Sequence, residues 1–196
     1  MSTANAPSPA PPLTPDLARL RDELVSVQER ARQLTAGLSA AQLSWRPGPA
    51  RWSIAECLAH LVATTEATVP NLAAAMAGAT PMSEPERYRP GLLGRLLRWM
   101  MEPPSRLRTK TQDVFLPHVP TDPATVPEQF ANSQAELLRQ LEAAKGLAIN
   151  RVKASSAANE KLRLSLGDWF SFLAAHQRRH LWQAERVRQE AGFPAP

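Results

Sequence analysis

The stretch SLGDWFSFLAAHQRRHLWQAERV, from Ser165 to Val187, decides how the rest of the chain is read. Ser165 followed three positions later by Asp168 has the form of a helix N-cap with an acidic residue in the first turn. At about 100° per residue, Leu173, His176, His180, Ala184 and Val187 all fall within roughly 60° of Trp169 on a helical wheel. The segment is therefore an amphipathic helix whose apolar stripe contains two imidazoles, expected to run to about Ala191. Residues four apart are stacked neighbours, with Cβ atoms about 5–6 Å apart. Two rings placed this way can point at one ion, as paired histidines on a helix do in zinc sites.

Three further helices follow from the same pattern. Leu17, Leu20, Leu24, Val27, Ala31, Leu34 and Leu38 form one stripe, opened by Thr14, Pro15 and Asp16 and closed near Gly37. SAAQL (Ser39–Leu43) has the length of a single turn, and RPGPARW (Arg46–Trp52) is a loop because Pro47, Gly48 and Pro49 break any helix. The second helix begins with SIAE, in which Ser53 and Glu56 have capping-box spacing. Its stripe is Ile54, Leu58, Leu61, Thr65 and Leu72, and Pro70 predicts a kink or an early stop. The third begins near Thr125–Pro127, buries Phe130, Gln134, Leu137, Leu141 and Ala144, and ends at Gly146.

From Gly78 to Pro123 the chain is irregular and proline-rich, apart from GLLGRLLRWMME (Gly91–Glu102). A connection of that length can cross the whole molecule and let the second and third helices run parallel. GLLGRLLRWMME has a basic amphipathic composition that invites a membrane reading. The preferred expectation is a lid or interface helix over the end of the bundle, and an exposed apolar face there predicts a homodimer. INRVKASSAANEK is a second irregular stretch, and no strand alternation stands out. The expected fold is all-α, a four-helix bundle with a long crossover between helices 2 and 3. Residues 1–12, rich in Pro and Ala, read as a disordered tail, and residues 13–192 as a single domain.

Composition narrows the function. Of 196 residues, 43% are hydrophobic and 21% charged, ordinary for one globular domain. No apolar run reaches membrane-spanning length, and the N-terminus lacks the charged and apolar regions of a secretory signal. The single cysteine, Cys57, excludes an internal disulfide framework and a thiolate-rich zinc cluster, and its expected role is a small buried hydrophobe. A cytoplasmic location follows as the expectation. The net charge of +5 comes from arginines scattered beside acids, without a nucleic-acid motif. Neither a nucleic-acid nor a membrane partner is expected, and Arg178 and Arg179 are expected to be solvated.

Burying two imidazoles costs free energy unless their ring nitrogens find partners. Backbone carbonyls or water can supply these, and so can a metal ion, which then needs a third ligand. Of the remaining histidines, His60 lies on the flank of the second helix's stripe. His118, between prolines in a loop, reads as a surface residue. Three neutral imidazoles with one position open describe a catalytic metal site.

The segments RWSIAECLAHLVATTEA and LSLGDWFSFLAAHQRRHLWQAERV together resemble the DinB-like superfamily of metal-binding four-helix proteins, in particular its DinB_2 branch. The intervening RLRTKTQDVF and DPATVPEQFANSQAELLRQLEAA are similar to the same branch, so the likeness covers most of the chain from about Leu17 to Val187, with the N-terminal tail and the segment around Arg98 unmatched. It implies a four-helix bundle with a long crossover and carries the metal ligands over to His60, His176 and His180. It also implies a divalent ion, with zinc or nickel foremost among those that imidazole suits. In members of known function the site activates a low-molecular-weight thiol for transfer or isomerisation, and many others carry only the label of metal-dependent hydrolase.

A divalent ion deprotonates a coordinating thiol, and the thiolate is the nucleophile. The rival chemistry is hydrolysis by a water of lowered pKa, which ordinarily needs a carboxylate base. Glu56, one turn before His60, is the acid near a ligand in sequence, but capping Ser53 accounts for it better than a role as base, which favours the thiol. Gln183 projects on the histidine side and is the other candidate to support the ligands. The expected function is a metal-dependent thiol transferase or isomerase acting on a small molecule. A hydrolase is the alternative, and a metal-stabilised binding module without turnover the third.

Overall fold

In the computed structural model, residues 12–84, 86–104, 110–120 and 122–195 are described. Except for Pro12, which is exposed, the expected disordered tail lies outside them. The helices are α1 (Pro15–Thr35), α2 (Ala40–Ser44), α3 (Ile54–Ala77), α4 (Leu92–Met101), α5 (Val126–Ala143) and α6 (Leu166–Arg188). Helices α1, α3, α5 and α6 form the four-helix bundle, each of α1 and α3 lying beside both α5 and α6.

The helix starts are built by the residues that predicted them. Thr14 Oγ1 accepts from the Leu17 amide, and Ser165 Oγ from that of Asp168. At Ser53 the capping box is complete: Ser53 Oγ accepts from Glu56 N, and Glu56 Oε2 accepts from Ser53 N at 2.9 Å. Each cap satisfies an otherwise orphaned donor, for about 1 kcal/mol. Gly37 and Gly146, with φ of 74° and 71°, turn the chain out of α1 and α5 in the left-handed region that favours glycine.

Helix directions follow from the core, which has two parts. One joins Leu17, Leu20 and Leu24 of α1 to Leu72 of α3, Leu137 and Leu141 of α5, and Trp169, Phe170 and Leu173 of α6. The other joins Val27, Ala31 and Leu34 to Ile54, Leu58 and Leu61, Val126 and Phe130, and Leu181, Ala184 and Val187. The starts of α1 and α6 thus meet the ends of α3 and α5. So α3 and α5 run parallel to each other and antiparallel to α1 and α6, as the long crossover permits. Leu13 packs on the first part and Phe193 on the second.

Four local expectations need correction. Of the two outcomes expected at Pro70, the early stop does not occur: helix α3 continues to Ala77. Pro70 is exposed, so its ring meets solvent, while burial of Leu72 beyond it holds the helix on. The irregular stretch after Ile149 contains a short antiparallel hairpin, β1 (Lys153–Ser155) with β2 (Arg163–Ser165), Ala154 opposite Leu164. Both of those residues are buried, and the Ala154 carbonyl accepts from Trp169 Nε1 at 2.9 Å. Three residues per strand are too few to register as alternation. The helix within GLLGRLLRWMME lies along the flank of α6 and not over a bundle end. Gly91 N donates to Asp168 Oδ1, Arg98 to Ser171 Oγ, and Arg179 to the Met100 carbonyl. Finally, Arg178 and Arg179 are not solvated. Arg178 pairs with Glu23 and Glu102, and Arg179 is only 9% exposed. No described helix is long and apolar enough to cross a membrane.

Candidate metal centre

Helix α3 brings His60, and α6 brings His176 and His180, to one place between the two parts of the core. The three ring centroids are 5.0, 4.4 and 4.6 Å apart, with planes inclined at 64–65°. One nitrogen from each ring can be chosen so that all three lie within 4.8 Å of one another. His60 and His176 are buried, and His180 is half-buried. His118 is exposed and takes no part, as its loop context implied.

The His60 ring is fixed by the turn Asp113–Phe115, which lies against α3. Its Nδ1 stands 2.6 Å from the Phe115 carbonyl, an acceptor only, so the proton sits on Nδ1 and Nε2 presents its lone pair. That Nε2 is 3.1 Å from His176 Nε2. His180 Nδ1 is buried without a hydrogen-bond partner.

Burial keeps all three rings neutral. It pushes the His176 pKa down to about 3, with His60 and Arg179 adding in the same direction. Burial also drives His180 well below its ordinary value, with His176, His60 and the Arg179 guanidinium each disfavouring its protonation, while Gln183 beside it acts in the opposite sense. His60 is lowered by burial too, against the pull of the Phe115 carbonyl. Neutral imidazole is the form that binds a metal.

The arrangement fits a metal ion better than a set of self-contained core histidines. A hydrogen bond from His176 to His60 would satisfy the facing nitrogens. It leaves the buried Nδ1 of His180 with nothing, at a desolvation cost of about 1–3 kcal/mol. Tetrahedral ligation at a zinc–nitrogen length of about 2.0–2.1 Å would put neighbouring nitrogens roughly 3.3 Å apart. The 3.1 Å between the facing Nε2 atoms is close to that spacing.

Glu56 does not support the ligands. Its carboxylate accepts from the Ser53 amide and forms an ion pair with Arg46, so the capping role uses it up. Cys57 is fully buried in the apolar core and stays outside the histidine cluster. Residues the sequence did not single out close the site. Trp52 lies 5.0 Å from the His60 ring and 5.7 Å from that of His180. Phe172 stacks on His176 at 5.7 Å and 18°. Phe172 was legible, being one helical turn before His176. Nothing local marks Trp52 or the Phe115 carbonyl, whose placement depends on how loops fold back onto α3.

Fold and site together define a four-helix bundle protein with a three-histidine cluster held between two antiparallel helices. Residues 7–184 match the model of the DinB superfamily (DinB_2), and the chain belongs to that family. No curated protein sequence matches it. Among solved structures it is similar to YfiT from Bacillus subtilis, with a TM-score of 0.60 and 11% identity over 95% of this chain and 94% of that one. YfiT is described as a probable metal-dependent hydrolase with an unusual four-helix bundle topology.

Proposed function

We propose that His60, His176 and His180 hold one divalent metal ion, zinc or nickel. We further propose that the protein is an enzyme activating a low-molecular-weight thiol there for S-transfer or isomerisation of a small molecule. The observation that carries the metal is the unpartnered, buried Nδ1 of His180, in a ring 4.4 and 4.6 Å from those of His60 and His176, whose Nε2 atoms face each other at 3.1 Å. A bound divalent ion supplies Lewis acidity that favours the thiolate over the thiol.

The chain's own residues do the rest. Phe115 fixes the tautomer of His60 through its carbonyl. Burial holds His176 and His180 unprotonated across the physiological range. Trp52 and Phe172 wall the rings with apolar surface, which limits water and strengthens electrostatic interactions inside. Among the described residues no carboxylate joins the cluster, and Glu56 is spent on Ser53 and Arg46. That favours a thiol, which needs no separate base once its proton is lost, over water. The description of YfiT supports the second reading, a metal-dependent hydrolase.

Incubating the metal-loaded protein with an electrophile and a panel of small thiols, and separately with activated esters, tests the assignment. Thiol conjugation that requires both metal and protein is the expected result. Ester cleavage without thiol would assign hydrolysis. Absence of both, with metal bound, would leave a metal-stabilised binding module.

A further inference from the structure

Helix α4 is pinned to α6 by its inner face. Asp168 accepts from Tyr88 Oη at 2.8 Å and from Gly91 N at 3.1 Å, and Gly94 sits so close that a Cβ would strike the Asp168 carboxyl group. Arg98 reaches Ser171 Oγ at 2.8 Å, and Glu102 just beyond the helix pairs with Arg178. An element anchored this way along its length does not swing as a lid.

The opposite face is apolar and open. On the wheel Leu92 and Leu96 lie within roughly 40° of each other and diametrically across from Gly94, with Leu93 on one flank. Leu92 is 85% exposed, Leu93 46% and Leu96 51%. Trp99, on the same ridge, is 54% exposed. Three arginines outnumber two acids around the ridge: Glu84 is exposed, and Glu86 is half-buried and accepts from the Asn150 amide. Arg95 flanks the ridge, and Arg87 and Arg89 precede the helix; all three are exposed. None of them takes part in an ion pair among the described residues. Helix α4 contains no acid. The nearby Asp168 is buried, and Glu102 is neutralised by Arg178 and Arg98.

We infer that α4 docks the protein peripherally on an anionic lipid surface, its leucine ridge entering the interface and Arg87, Arg89 and Arg95 meeting the headgroups. Two observations favour lipid over a second copy of the chain. A helix of this length is about 15 Å long and about 10–12 Å across. It offers far less area than the ~800 Å² per partner of a stable protein interface. A two-fold contact would also bring like charges together with no acid on α4 to offset them. A lipid surface needs no shape complementarity, and it supplies both the apolar phase and the opposite charge. The docking is distinct from spanning, for which no described helix is suited. It is independent of the metal reading.

The test is co-sedimentation of the full-length protein with vesicles of phosphatidylcholine, with and without phosphatidylglycerol. Wild type should pellet with the anionic vesicles, about tenfold more weakly with neutral ones, and progressively less as salt is raised. The double variant Leu92→Ser/Leu96→Ser should lose about tenfold or more of that binding. Its thermal melt should stay like that of wild type, because both side chains are exposed. Arg95→Glu should weaken binding to anionic vesicles only. Failure of wild type to pellet with anionic vesicles overturns the inference, as does equal pelleting of the double variant. So does a wild-type dimer in solution that the double variant converts to monomer, since the ridge would then face another copy.

Discussion

His60 and His176 are 116 positions apart in sequence, yet their Nε2 atoms are 3.1 Å apart inside the bundle. The proton of His60 is committed to the Phe115 carbonyl on the other side of the ring. Two nitrogens facing at that distance, with a third ring beside them whose buried Nδ1 has no partner, make a site whose occupancy can be measured directly.

Protein purified without an immobilised-metal step should therefore contain close to one divalent ion per chain by elemental analysis. His60→Ala, His176→Ala and His180→Ala should each reduce it to trace levels. Stripping with a chelator should lower the melting temperature of wild type, since an ion at 100 times its Kd contributes about 2.7 kcal/mol. The same treatment should leave the three variants unmoved. Equal trace metal in wild type and variants would remove the site from the protein.

Gly94→Ala should loosen α4 from α6. The new Cβ has nowhere to go, because Asp168 is held by Tyr88, Gly91 and Ser165. A cost of about 1–3 kcal/mol is expected from the overpacking. It should be read as a lower unfolding midpoint in urea and faster hydrogen exchange in residues 92–101. Gly78→Ala, in open space, is the control and should change little.

The Glu102 side chain links α4 to α6 and gives stability a defined pH dependence. Burial alone would raise its pKa, but hydrogen bonding and charge from Arg178, with Arg98 adding, bring it below the ordinary value. Depression of a carboxylate pKa in the folded state means a contribution fully present above the ordinary value of about 4.3, lost as pH falls through the native one. Wild type should accordingly melt higher than Glu102→Gln at pH 7, and the gap should close in acid. A gap that widens on acidification would contradict the assignment.

The Cys57 thiol should be silent in the native protein. Burial, reinforced by the charge of Glu56, pushes its pKa above the usual thiol range, and the residue is fully covered. A chromogenic disulfide reagent at pH 8 should detect no thiol until denaturant is added, and then one per chain. Rapid labelling of native protein would show that this part of α3 opens, and would add a background to thiol-transfer assays.

What the sequence determined is local. Ser53 and Glu56, Thr14, and Ser165 with Asp168 marked where helices begin, because a cap needs only residues three apart. The leucine stripe of α1 fixed its buried face, since periodicity alone sets which side chains share a face. By the same logic His176 and His180 were placed together before any coordinates. The tertiary structure decided the rest. Whether the flank position of His60 looks inward depends on how α3 rolls against α6. Where Phe115 and Trp52 come to lie depends on loops crossing α3. Arg178 was misjudged for the same reason: its partners, Glu23 and Glu102, come from other elements. A dihedral preference or a spacing acts over a few residues, whereas the neighbours of a side chain are chosen by packing of the whole chain.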